Sequence, residues 1–254
     1  MKILEVEKID KTLAGKQVLF GVDFSVKKWD IYGFLWPNGA WKTTTMKCIL
    51  GLIKPEKWNI GALGEDGLTL EAKKRIGFMP ENTYLYKYLT WREFLRFNGT
   101  FFGLKGDTLE TRVDELLHEV GLYEAGNTYL KNYSKWMLQR VWLAQSIINK
   151  PELLFLDEPM SGLDPIGRKM VKDLLVKLRD SGTTIFFNTH ILADVESICD
   201  RISIINKWYL IVESEKVSKL KGTLEDFFIK KVTDHNEKLK EIAEAESEDV
   251  EVNI

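Results

Sequence analysis

The sequence predicts an α/β fold: a mainly parallel sheet with crossover helices, antiparallel strands near the N-terminus, and an inserted helical subdomain. Three observations predict it. Apolar runs at 153–156 and 184–187 flank a helical stretch whose Met170, Val171, Leu174, Leu175 and Leu178 share one face. That strand–helix–strand alternation is the pattern of a parallel sheet with crossover helices. A glycine-containing loop, Trp36-Pro37-Asn38-Gly39-Ala40-Trp41-Lys42-Thr43-Thr44, stands between a buried strand and a helix start. From about 82 to 148 the character turns helical. The predicted division is a core from 1–81 and 149–220, a helical subdomain at 82–148, and a charged helix or tail at 221–254.

The elements follow in order. Residues 1–35 read as short strands with turns, ending in the buried run Ile31-Tyr32-Gly33-Phe34-Leu35. A helix runs from Lys42 to Leu50, with Gly51 as its stop. Arg75-Ile76-Gly77-Phe78-Met79 is a strand closed by Pro80. In the helical region Thr90 and Glu93 have capping-box spacing, as do Asp107 and Glu110 in a weaker form. Val113, Leu116, Leu117 and Val120 form an apolar stripe closed by Gly121. Ser134 opens the next helix, with Leu138, Val141 and Ile148 inward. Phe94, Phe97, Phe101 and Phe102 read as core of the insert. Tyr84, Tyr86 and Tyr88 fit two readings, a surface gripping a partner helix or packing beneath the insert. The acidic stretch after about 235 reads as a solvated helix fraying into disorder.

Composition narrows the function. The chain has 254 residues, 44% hydrophobic and 29% charged, which is globular. A net charge of −2 gives no electrostatic footprint for nucleic acid, and none is expected as partner. Cys48 and Cys199 lack metal-ligand spacing and fit a reduced cytosolic compartment. Met1-Lys2-Ile3 runs straight into strand, so no signal peptide is expected. No apolar run approaches the roughly 20 residues of a membrane span.

All eight tryptophans stand where glycine is expected. Three sites, Trp29, Trp58 and Trp208, read as tight turns, where the residue takes φ > 0. Trp36 and Trp41 occupy the glycine positions of G-x-x-x-x-G-K-T. Trp91, Trp136 and Trp142 fall in helical stretches that tolerate Trp. UGA is a stop codon in most genomes, Trp in one variant code and Gly in another. A UGA-Gly gene read with the UGA-Trp table would gain Trp only at glycine positions.

The chemistry-bearing segments share one edge of the predicted sheet. The loop after Leu35 is a P-loop pattern: its backbone N–H groups cradle phosphates, Lys42 reaches the β- and γ-phosphates, and Thr43 offers a hydroxyl to Mg²⁺. In Leu153-Leu154-Phe155-Leu156-Asp157-Glu158, apolar residues bury a strand and two carboxylates emerge at its C-terminal end, where open α/β sheets bind ligands. Asp157 suits the Mg²⁺ shell, and Glu158 suits a general base for the attacking water. His190 follows the next strand and reaches the γ-phosphate from the same edge.

In chain order these segments resemble the P-loop, Q-loop, signature, Walker B, D-loop and H-loop of the nucleotide-binding subunit of an ABC transporter, over about residues 1–230. Tyr133-Ser134-Lys135-Trp136-Met137-Leu138-Gln139-Arg140 resembles the signature, which in that family contacts the γ-phosphate of the opposite subunit through Ser134 and a glycine, here Trp136. Lys135 replaces the signature's first glycine. Ser161-Gly162-Leu163-Asp164 resembles the D-loop, with Asp164 at the dimer seam. Glu81 holds the Q-loop position, as in the exporter branch resembling drug, sodium and polysaccharide efflux ATPases; Leu224-Glu225-Asp226-Phe227-Phe228 also resembles that branch. The adenine-stacking aromatic falls near Leu13, which cannot stack, and Val18 is placed against the base. The resemblance implies a P-loop ATPase core, ATP and Mg²⁺ as cofactors (held by Thr43, Asp157 and Glu81), and Glu158 and His190 as catalytic residues. It also implies a second ATPase subunit and an integral membrane permease as partners. The chain would then be cytoplasmic, peripheral at the inner face of the membrane. Genuine tryptophans at 36, 41 and 136 imply instead a non-hydrolysing scaffold of the same fold. A non-transport ABC ATPase would carry long coiled coils or two nucleotide domains, and this chain shows neither.

Overall fold

The computed structural model describes residues 1–37, 42–81 and 86–251. Two sheets organise it. β1 (Lys2–Leu13) and β2 (Lys16–Lys27) form an antiparallel hairpin whose loop residues, Ala14 and Gly15, both have positive φ. That is the turn handedness that matches strand twist. With β4 (Lys57–Ala62) and β5 (Glu65–Asp66) they make a four-stranded antiparallel sheet in the order β2-β1-β4-β5.

The second sheet is built on β3 (Ile31–Leu35), β7 (Leu153–Asp157) and β8 (Thr184–Asn188). All five residues of each are buried, as expected of parallel strands covered on both faces. β6 (Ile76–Met79) and β9 (Arg201–Asn206) flank them, and β10 (Tyr209–Lys216) adds an antiparallel edge. The order is β10-β9-β3-β8-β7-β6. The predicted mixture of parallel and antiparallel strands is the one observed.

Helices pack around this frame: α1 (Lys42–Ile49), α2 (Leu70–Lys74), α3 (Trp91–Phe101), α4 (Gly106–Glu119), α5 (Lys135–Ser146), α6 (Pro165–Asp180), α7 (Leu192–Ile198) and α8 (Leu224–Glu251). One apolar core joins α3 to α6 with one face of the six-stranded sheet. The other lies between that sheet, α1 and the antiparallel sheet, where Phe24, Phe34 and Phe186 pack ring against ring. Phe227, Phe228 and Val232 lay the first turns of α8 on the first core. No helix among the described residues is long and apolar enough to cross a membrane. Cys48 and Cys199 are buried, and burial pushes the Cys48 thiol up to about 11, which keeps it protonated and inert.

Several expectations are corrected. Thr90 and Glu93 do close a capping box, but α4 starts at Gly106 after Lys105, so Asp107 lies inside the helix and caps nothing. Trp58 lies in β4 and not in a turn. Phe94 is core, whereas Phe97, Phe101 and Phe102 are exposed; Phe101 and Phe102 stand at the C-terminal end of α3. Met170 sits at the exposed margin of α6, where its sulfur accepts from Arg140.

Candidate functional site

β3, β7 and β8 are neighbours in register, so their C-terminal ends form one edge. β7 and β8 end where apolar side chains give way to polar ones, Asp157-Glu158 and Asn188-Thr189. The sequence past β3 turns through Trp36 and Pro37 and re-enters as α1 at Lys42, while Asn38, Gly39, Ala40 and Trp41 lie outside the described residues. Thr43, in the first turn of α1, donates Oγ1–H to Asp157 Oδ2 at 2.7 Å. Asp157 closes β7 opposite Asn188, whose Nδ2 donates to Oδ1 at 3.3 Å. Thr44 is buried behind Thr43.

Glu158 follows Asp157 in a left-handed backbone conformation, φ 53°, unusual for a residue with a side chain. Its N–H donates to Asn188 O at 3.0 Å. The turn swings its nearly buried carboxylate to the β8 end, where Thr189 Oγ1 donates to Oε2 at 3.2 Å and His190 Nδ1 lies 2.9 Å from Oε1. Four sequence-predicted residues, Thr43, Asp157, Glu158 and His190, therefore meet at one edge. Asn188, Thr189 and Gln139 complete it; Asn188 and Thr189 had no role in the sequence reading, and Gln139 stood there only within the signature-like run. The available signal was the polar pair Asn188-Thr189 at the end of an apolar strand.

The remaining candidates lie apart or outside the site. Ser134 is the N-cap of α5, accepting from Met137 N–H at 3.2 Å. Lys135 is exposed and lies across Gly162. The Trp136 indole presses on Gly167 of α6, with the Arg140 guanidinium 3.1 Å from its ring centroid. Asp164 caps α6 through Gly167 N–H at 2.7 Å. Glu81 is exposed beyond β6. Val18 is wholly buried within β2. A cavity of about 240 Å³ beside the edge is lined by Trp36, Pro37, Thr189, His190 and Phe228. A larger groove of about 550 Å³ between α4 and the end of α5 contains none of the site residues.

The donor set fits Mg²⁺. Thr43 Oγ1 and Asp157 Oδ2 are hard oxygens 2.7 Å apart, near the edge length of an octahedron with ligands at about 2.1 Å. No three His, Cys, Asp or Glu side chains among the described residues converge on a metal, so an ion here would complete its shell with other oxygens, from water or a phosphate group.

A family model described as ABC transporter matches residues 19–161, more than half of the chain. The chain belongs to the ABC transporter family. An ABC transporter ATP-binding protein of Nostoc sp. is 43% identical over 213 residues, covering 83% of this chain and 63% of the relative. The linearmycin resistance ATP-binding protein of Bacillus subtilis is 35% identical over 84% of this chain and 70% of its own. A solved ATP-binding subunit of an ABC transporter superposes with TM-score 0.74 at 31% identity, covering 88% of this chain and 91% of that one. The match spans less than two-thirds of the Nostoc relative's length. The ABC ATPase fold is thereby the fold of this chain.

Proposed function

We propose that this chain is the ATP-binding and ATP-hydrolysing subunit of an ABC-type exporter. The observation that carries the reading is the convergence of Thr43, Asp157, Glu158 and His190 on one sheet edge beside the start of α1. Lys42 and the backbone of α1's first turn would hold the phosphates. Mg²⁺ held by Thr43 and Asp157, with Glu81 as a further candidate, would offset phosphate charge. Glu158, oriented by Thr189 and His190, takes the proton of the attacking water. The Ser134 end of α5 and Asp164 would close the site of a second subunit. The relative named for linearmycin resistance supports export.

The permease contact falls on α3 and the segment before it. Tyr86 stands edge-on to Phe97 at 5.8 Å and Phe97 edge-on to Phe101 at 5.0 Å, all three exposed. Tyr88 is exposed as well, and Tyr84 lies outside the described residues. The surface reading of these tyrosines is favoured over packing beneath the insert. Through this face the chain would sit at the inner side of a membrane.

The same proposal includes glycine at the eight tryptophan positions, through a UGA codon. Trp29 and Trp208 hold φ of 66° and 78°, where an L side chain costs about 1–2 kcal/mol. The indole nitrogens of Trp91, Trp136 and Trp142 are buried without hydrogen-bond acceptors. Each such orphan costs about 1–3 kcal/mol. The test is ATP turnover by the purified chain in its glycine and tryptophan forms, each compared with its Glu158→Gln variant. Turnover that depends on Glu158 supports the reading, and turnover indifferent to Glu158 overturns it.

A further inference from the structure

Gln139 lies one and a half turns into α5 and is almost fully buried. Its Nε2 donates to Pro159 O at 2.8 Å and reaches Glu158 O at 3.4 Å. These are consecutive carbonyls of the turn that holds Glu158 in its left-handed conformation. Such a conformation persists only where the surroundings over-determine it. Asn188 O fixes the Glu158 N–H from the β8 side, and Gln139 fixes the carbonyl side from α5. At the far end of the same turn Gly162 has φ 72°, and the exposed Lys135 side chain of α5 lies over it. The hydrogen bonds from α5 to the turn are those of Gln139, at the Glu158 end.

We infer that Gln139 is a positioning residue that ties the Glu158 carboxylate to α5, so that displacement of the exposed Ser134 end of that helix moves the Glu158 turn. This rests on the proposed role of Glu158 and adds to it a route between the outer end of α5 and the carboxylate. An α-helix transmits such a displacement rigidly, because Ser134 and Gln139 are only about 7 Å apart along its axis at 1.5 Å per residue. A purely structural glutamine would loosen α5 and its core neighbours alike. A tether loosens the turn and leaves the helix in place.

Gln139→Met keeps the length and volume and removes the donor; Gln139→Asn keeps the amide and shortens the reach. The test is amide hydrogen exchange of the full chain, with kcat and KM for ATP measured on the same preparations. The expected result for Gln139→Met is at least tenfold faster exchange confined to residues 158–162, with α5 unchanged. kcat should fall about tenfold while KM for ATP stays within about twofold, and Asn should give the same pattern. Unchanged exchange at 158–162, faster exchange throughout α5, or a loosened turn with unchanged kcat would each overturn the inference. The Glu158→Gln control separates the two claims. If it leaves turnover unchanged the ATPase reading fails, and the exchange pattern still decides whether Gln139 holds the turn.

Discussion

Thr43 and Asp157, 114 positions apart in the chain, share a 2.7 Å hydrogen bond from Oγ1 to Oδ2. Parallel pairing brings this about. β3 and β7 each lie beside β8, so the helix that follows β3 and the carboxylate that ends β7 arrive at the same edge. If the pair holds Mg²⁺, Thr43→Ala and Asp157→Asn should each lower Mg²⁺-dependent ATP turnover by roughly 100-fold, the scale of losing one preorganised electrostatic contact. Circular dichroism should show an unchanged fold. Full turnover by Asp157→Asn would remove the metal role.

Much of this edge was legible in the sequence because its signals are local. An apolar strand ending in Asp157-Glu158 and another ending before His190 can be read from neighbouring residues alone. What was not legible is long-range. Gln139 reads only as part of the signature-like run until α5 is laid against the turn after β7. Phe97 and Phe101 read as core from residue type and their spacing to Phe94, yet the structure leaves both exposed. Trp58 was placed in a turn because Pro55 precedes it, and pairing of β4 with β1 made it strand.

The left-handed tryptophans give a stability prediction. Trp29→Gly and Trp208→Gly should each raise stability by roughly 1 kcal/mol, the conformational strain of an L side chain at positive φ. In a chain of this size that is a rise in Tm of about 2–4 °C per site, read by calorimetry. Trp58→Gly, in a strand without positive φ, should give no such rise. A fall in Tm at both Trp29 and Trp208 would argue that the indoles are native there.

The coding sequence gives an independent check. Sequencing should find UGA at all eight tryptophan positions. UGG at Trp36 and Trp41 would end the recoding proposal, whatever the stability measurements show.

The exposed aromatic row predicts partner binding. Replacing Tyr86, Phe97 and Phe101 together by Ser should leave ATP binding intact and reduce co-purification with the membrane permease at least tenfold. A hydrophobic interface loses on this scale when its aromatic anchors are truncated. Unchanged co-purification would move the permease contact elsewhere.

The central claim is an ATPase site organised around Glu158, and its most direct measurement is single-turnover hydrolysis of Mg²⁺-ATP by the glycine form and its Glu158→Gln variant. The account predicts hydrolysis by the first, and a variant that still binds ATP but hydrolyses it roughly 10²–10⁴-fold more slowly, the contribution of a general base. Equal rates for the two proteins, or no ATP binding by the glycine form, would contradict it.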